Sequence, residues 1–161
     1  MQKITPFLWF NGQAEEAMQF YTSVFPESRV VDVMRYGDAG PGPKGSVMSC
    51  TFELEGQAFI ALNGGPMFQF TEAISMFVRC ETQAEVDELW EKLSEGGQKS
   101  QCGWLKDRFG LSWQIVPTEL EKLLSSEDPE KRGRVMKALL QMTKLDIAAL
   151  KQAAEGPQRV S

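Results

Sequence analysis

The sequence predicts an α+β fold made of two βαβββ modules followed by helices. Three observations carry this. A strand pattern followed by a helix pattern occurs twice, at Ile4 to Phe10 with Gln13 to Phe25 and at Ile74 to Cys80 with Gln83 to Ser94. The copies keep a fixed offset: Ile4 and Ile74, Phe7 and Phe77, Gln13 and Gln83, and Glu15 and Glu85 are each 70 positions apart. Strand-like segments broken by glycine turns follow both copies, so the order of elements repeats as well as the residues. The helix faces align at 69, pairing Tyr21 with Trp90 and Val24 with Leu93, which places a one-residue shift in the strand-helix turn.

Ile4, Phe7, Leu8, Trp9 and Phe10 form an apolar run that reads as a buried strand, ended by Asn11-Gly12. Ala14, Ala17, Met18, Tyr21, Val24 and Phe25 recur at helical spacing, with Glu15 and Glu16 at the positive end of the helix and Pro26 as its stop. Arg29 to Tyr36 is rich in β-branched residues and reads as a strand, and Asp38 to Gly45 as a loop. Val47 to Leu54 and Gln57 to Leu62 alternate about Glu55-Gly56 as a hairpin. In the second module Thr82 and Glu85 form a capping box, Val86, Leu89, Trp90 and Leu93 an apolar face, and Gly96-Gly97 the helix stop. Gly103 to Lys106 and Ser112 to Val116 flank Asp107-Arg108-Phe109-Gly110 as the second hairpin.

In the tail, Thr118 with Glu121 caps a short helix, Asp128-Pro129 starts another with Val135, Ala138, Leu139 and Met142 on one face, and Thr143 with Asp146 opens a last one through Ala154. These faces need a partner, either the chain's own sheet or a second subunit. One domain over residues 1–161 is expected, with module one at 3–65, module two at 72–117 and a helical extension at 118–156.

Composition narrows the function. Hydrophobic residues at 42% and charged residues at 24% are ordinary for a soluble globular chain. A net charge of −5 and a pI near 4.9 argue against nucleic-acid or acidic-lipid binding. No window approaches the roughly 20 apolar residues of a membrane span. Met1-Gln2-Lys3-Ile4 enters apolar alternation without a signal-type segment, and Cys50, Cys80 and Cys102 have no close spacing, so a reduced cytoplasmic setting is expected. The sequence has no histidine. That removes Ser-His and Cys-His dyads, imidazole metal ligands and the usual near-neutral general base.

Several residues invite a functional reading beside an ordinary one. Phe7, Trp9, Trp104 and Trp113 could wall a pocket for a planar ligand, although aromatics dominate ordinary cores. Cys102 could be a reactive thiol near Lys106 and Arg108, with an inert packed cysteine the better reading. Asn63 could touch a ligand or close the turn between modules. Gly40 to Gly45 lacks a Gly-Lys-Ser/Thr run and carries two prolines without N–H donors, so it reads as a loop that could act as a lid rather than as a phosphate cradle.

The segments Thr5-Pro6-Phe7-Leu8-Trp9-Phe10-Asn11-Gly12-Gln13-Ala14-Glu15-Glu16-Ala17 and Cys102-Gly103-Trp104-Leu105-Lys106-Asp107-Arg108-Phe109-Gly110-Leu111-Ser112-Trp113-Gln114-Ile115-Val116-Pro117, with the βαβββ order, resemble the PhnB-like branch of the glyoxalase/bleomycin-resistance (vicinal oxygen chelate) superfamily. That branch often carries the label 3-demethylubiquinone methyltransferase. The resemblance covers about residues 3–145 and implies mixed sheets curled around a shared cleft, in a homodimer. Metal-dependent members place His, Gln or Glu ligands on four strands. Those positions fall here at Thr5 (or Pro6), Ile60, Ser75 and Gln114. One amide, two hydroxyls and an aliphatic chain do not make a tight divalent site, so no metal is expected. No cofactor is expected either: Asn11-Gly12-Gln13 is a tight turn, and the βαβββ order does not build the doubly wound sheet that usually holds S-adenosylmethionine.

The expected function is metal-free binding of a small molecule in an aromatic cleft, with Thr5, Phe7, Trp9, Ile60, Asn63, Ser75, Cys102, Trp104 and Gln114 as candidate contacts. The alternatives are a superfamily enzyme, metal-dependent and lyase- or dioxygenase-like, and the methyltransferase that the family label implies.

Overall fold

A computed structural model describes residues 2–157. The chain divides into two compact units, Met1–Phe70 and Thr71–Ser161. In the first unit, strand β1 (Phe7–Phe10) leads into helix α1 (Ala14–Val24), followed by β2 (Ser28–Arg35), β3 (Val47–Leu54) and β4 (Gln57–Asn63). They form an open mixed sheet in the order β1-β4-β3-β2, with β1 and β4 parallel and the other pairs antiparallel.

Strand alternation sends Leu8, Phe10, Cys50, Phe52, Phe59 and Ala61 to the face that α1 covers, where Ala14, Ala17, Met18, Tyr21 and Val24 meet them. Phe52 stacks on Phe59 at 5.6 Å between ring centres and lies 6.1 Å from Tyr21. Truncating a ring as deeply buried as Phe52 costs about 3–5 kcal/mol. The opposite face, with Phe7, Trp9 and Ile60, is left open, and Phe7 is 57% exposed. The loop after β2 folds over Tyr36: a side chain at Gly40 or Gly42 would meet its ring at 2.5 and 2.4 Å.

The second unit repeats the order with β5 (Ser75–Cys80), α2 (Gln83–Ser94), β6 (Gln98–Lys99), β7 (Trp104–Lys106) and β8 (Ser112–Pro117). The sheet order is β5-β8-β7-β6, with β5 and β8 parallel. Helix α2 buries Val86, Leu89, Trp90 and Leu93 against the face carrying Cys80, Leu105, Trp113 and Ile115. Thr82 Oγ1 accepts from the Glu85 N–H at 3.2 Å, and the Glu85 carboxylate accepts from the Glu81 N–H at 3.0 Å, so the capping pair forms.

Helices α3 (Thr118–Leu124), α4 (Pro129–Leu139) and α5 (Ile147–Glu155) pack on one another and on Val116 of β8. Leu120, Leu123, Val135, Leu145, Leu150 and Ala154 form this cluster, so the chain's own unit buries the tail's apolar faces. Gln83 ties the tail to α2: its amide donates to the Leu145 carbonyl and accepts from the Ile147 N–H.

Several boundaries differ from expectation. β1 starts at Phe7 and leaves Ile4 85% exposed, and β5 starts at Ser75, because Ile4 and Ile74 lie outside the paired registers. β6 is two polar residues long and has no apolar alternation to announce it. Thr118 is the first residue of α3 rather than its cap, and its hydroxyl donates to Glu81. Asp146 itself caps α5, accepting from the Ala149 N–H at 3.0 Å. Where the resemblance implies curled sheets, each unit holds an open sheet with two edge strands. No helix among the described residues is long and apolar enough to cross a membrane.

The turn between β7 and β8 rests on Asp107, 2% exposed. Its Oδ1 accepts from the N–H groups of Phe109 and Leu111 at 2.9 and 3.1 Å, and its Oδ2 accepts from the Trp113 indole at 2.9 Å. Replacing Asp107→Ala leaves these donors without their acceptor. The expected loss is about 3 kcal/mol of stability, read as a lowered midpoint in urea denaturation. An unchanged midpoint would show that the carboxylate does not hold the turn.

Candidate functional site

The strand registers gather the candidate residues into two groups. On the first unit's open face Phe7 lies opposite Ile60, with Trp9 two residues along and Thr5 just ahead of the strand. On the second unit's open face two cross-strand rows run over β7, β8 and β5. One row is Lys106, Ser112 and Ser75; the other is Trp104, Gln114 and Phe77.

Two candidates of the first unit serve the fold. Asn63 is consumed by it: Oδ1 accepts from the Ala14 N–H at 2.8 Å, and Nδ2 donates to the Val47 carbonyl at 3.1 Å. Gln13 gives α1 no side-chain cap, so an amide from β4 satisfies that orphan donor. Trp9 is pinned by the segment after β4. Its indole donates to the Gly65 carbonyl at 2.9 Å, Phe68 meets its ring edge-on at 4.9 Å, and a side chain at Gly64 would lie 2.4 Å from the ring. Trp113 is core as well, held by Asp107.

The second unit's face is different. Gln114 Nε2 donates to Ser75 Oγ at 2.9 Å, which leaves the serine proton and the amide oxygen available on the open side. Trp104 is half-buried next to Gln114, and the Arg79 guanidinium sits 5.1 Å over the Phe77 ring. Beside these rows lies a cavity of about 530 Å³, within the range of small-molecule sites, lined by Trp104, Lys106, Ser112, Cys102, Ser100 and Glu72 among others. Ser112 is 1% exposed, and its hydroxyl is the one buried side-chain polar atom without a hydrogen-bond partner among the described residues. Such a group costs about 1–3 kcal/mol when left unsatisfied.

Glu72 and Lys106 form an ion pair at the cavity, both substantially exposed. The hydrogen bond from Lys106 holds the Glu72 carboxyl below the usual carboxylate range. Sequence reasoning passed over Glu72 and Ser112 and treated Lys106 only as a neighbour of Cys102. The hairpin pattern held a signal for the pairing alone, since strands leaving the Asp107 to Leu111 turn place Lys106 opposite Ser112.

Cys102 lies at the cavity in the left-handed region, with φ of 59°, and its thiol approaches the Leu139 carbonyl at 3.5 Å. Cys50 and Cys80 are buried, and burial pushes their thiols up to about 11 and about 12.

The positions implied for a metal split between the units, Thr5 and Ile60 in the first and Ser75 and Gln114 in the second. Their donors do not fit a divalent ion: Ile60 has none, and Ser75 and Gln114 are neutral groups already bonded to each other. No group of three or more His, Cys, Asp or Glu among the described residues is placed to hold one.

Residues 2–116 match the family model described as 3-demethylubiquinone-9 3-methyltransferase. A PhnB protein from Bacillus cereus shares 43% identity, covering 72% of this chain and 99% of that one, with a TM-score of 0.67. The chain belongs to that family. The match to a PhnB protein agrees with the PhnB-like branch that the sequence resembles. A Pseudomonas aeruginosa protein at 23% identity (73% of this chain, 98% of that one, TM-score 0.61) and a fosfomycin resistance protein from Listeria monocytogenes at 13% (78% and 98%, TM-score 0.56) share the fold. A comparison with curated proteins returns no significant match. The family match ends at Val116, short of the expected reach to residue 145, so α3, α4 and α5 lie beyond it.

Thiol chemistry separates the three cysteines. Under native conditions at pH 8, iodoacetamide is expected to label Cys102 alone, and all three after denaturation, as read by peptide mass spectrometry. Native labelling of Cys50 or Cys80 at a comparable rate would contradict their buried, high-pKa state.

Proposed function

We propose that the protein binds a small organic molecule on the open face of the second unit's sheet, and that no metal ion takes part. The observation that carries this is Ser112: a residue at the wall of a cavity of about 530 Å³, beside Trp104, whose buried hydroxyl has no partner. Native structures rarely leave such groups unsatisfied, and a ligand that supplies the missing hydrogen bond accounts for its retention. The Ser75–Gln114 pair adds a donor and an acceptor one row away, and Trp104 adds a flat apolar surface. A few convergent polar groups on an aromatic wall are what a small-molecule site needs.

The family's description names a methyl transfer. Each sheet here is mixed, with a single parallel pair, and α2 covers only one face of the second. That is not the doubly wound arrangement whose glycine-rich first turn usually holds a methyl donor. The organic ligand, rather than a methyl donor, is therefore assigned to the cavity.

The test uses 2-naphthol, a neutral planar probe, in a fluorescence titration of the whole chain. Saturable one-to-one binding is expected, weakened about fivefold or more in Trp104→Ala and unchanged by Mn²⁺ or by a chelator. Equal affinity in Trp104→Ala, or binding that requires a divalent ion, would sink this reading. Stoichiometric S-adenosylmethionine binding displaced by the probe would replace it with methyl transfer.

A further inference from the structure

We infer that the cavity selects planar molecules bearing a carboxylate, held by Lys106 and Ser112, and that Glu72 occupies the carboxylate position when no ligand is bound. This rests on the small-molecule reading above and names its ligand class.

Among the described residues lining the cavity, Lys106 is the one cation and Glu72 the one anion, and they are paired with each other. Their positions are not equivalent. Lys106 belongs to β7 and is held by the ladder opposite Ser112. Glu72 lies on the chain ahead of β5, outside the sheet, and its side chain is the more exposed of the two. A competing carboxylate therefore displaces Glu72 into water and leaves Lys106 in place. Exposed pairs of this kind contribute little stability, so the exchange meets small resistance.

Ser112 supplies the second contact. Its hydroxyl has no partner, and Ser112 pairs with Lys106 in the same cross-strand row, so a carboxylate held by Lys106 is placed to accept from that hydroxyl as well. Two donors on one oxyanion give a charge-assisted pair of bonds. Glu72, already engaged by Lys106, leaves the Ser112 hydroxyl unbonded. The internal carboxylate thus reaches one of the two donors, and a ligand carboxylate free of the chain reaches both.

Trp104 sets the shape of the ligand. It lies two residues before Lys106 on the same face of β7, at a separation of about 7 Å along the strand. A fused aromatic ring lying on Trp104 therefore carries its carboxylate to the Lys106–Ser112 row.

The experiment compares 2-naphthoate with neutral 2-naphthol in wild type, Glu72→Gln, Lys106→Met and Ser112→Ala. Removing the competing carboxylate in Glu72→Gln is expected to tighten naphthoate binding about fivefold and to leave naphthol within twofold. Lys106→Met is expected to weaken naphthoate about tenfold or more, and Ser112→Ala severalfold. Naphthoate affinity that is unchanged or lower in Glu72→Gln, while naphthol still binds through Trp104, overturns this inference and leaves the small-molecule reading intact. Failure of both probes in the wild type overturns both. Because the Glu72 variant is expected to gain affinity, a folding defect cannot imitate the result.

Discussion

The buried carboxylate of Asp107 sets the register of the second unit's hairpin. It accepts two backbone N–H groups of its own turn and the indole N–H of Trp113. The turn therefore closes in one way, and the pairings Lys106 with Ser112, Leu105 with Trp113, and Trp104 with Gln114 follow. A slip of one residue would send Trp104 and Gln114 into the core and bring Leu105 and Trp113 out. The chemistry of the open face is thus downstream of one buried carboxylate on the core side of the hairpin. Leaving its donors unpaired inside the core would cost more than most single contacts contribute.

The two units use the same βαβββ order to different ends. Each buries one sheet face under a helix; the other face is open at Phe7 in the first unit, while in the second it is exposed at Phe77 and covered at Val116 by the tail helices. In the first, the open-face tryptophan is spent: Trp9 is clamped by Gly64, Gly65 and Phe68, and Asn63 caps α1. In the second, polar capacity is left over: the Ser112 hydroxyl is unpaired, Gln114 keeps a free oxygen, and Trp104 borders a cavity. Unspent hydrogen-bonding capacity, rather than exposed aromatic area, separates the candidate site from the scaffold. The same reasoning bears on metal chemistry. Neutral donors bonded to each other, with no imidazole in the chain, offer a divalent ion little compared with its water shell.

Much of the fold was legible because its signals are periodic. Alternation located β3 to within its observed ends, and the 3.6-residue spacing with a Thr82–Glu85 cap located α2. The start of β1 was not legible, because Ile4 looks like a strand residue but lies ahead of the ladder, beyond Pro6, with no core to enter. β6 was missed because a two-residue edge strand needs no side-chain pattern. The nine candidate residues read from the sequence form one set for one cleft; the strand registers place Ser75, Trp104 and Gln114 on one face of the second unit's sheet, a grouping that needs the pairings themselves. The bonds of Asn63 to Ala14 and Val47 were not legible, because both partners are far from it in sequence. Ser112 carried no signal of its own: a serine in an apolar strand says nothing until its missing partner is seen.

The central claim is that ligand binding belongs to the second unit's open face and not to the first. The most direct measurement is an amide and indole nitrogen–proton correlation spectrum recorded as 2-naphthol is added. The account predicts that the indole signal of Trp104 and the amides of Ser112 and Gln114 move in a saturable way, while the indole of Trp9 and the amides of Phe7 and Ile60 stay still. Shifts confined to Trp9, Phe7 and Ile60 would place binding on the first unit's sheet and contradict the account.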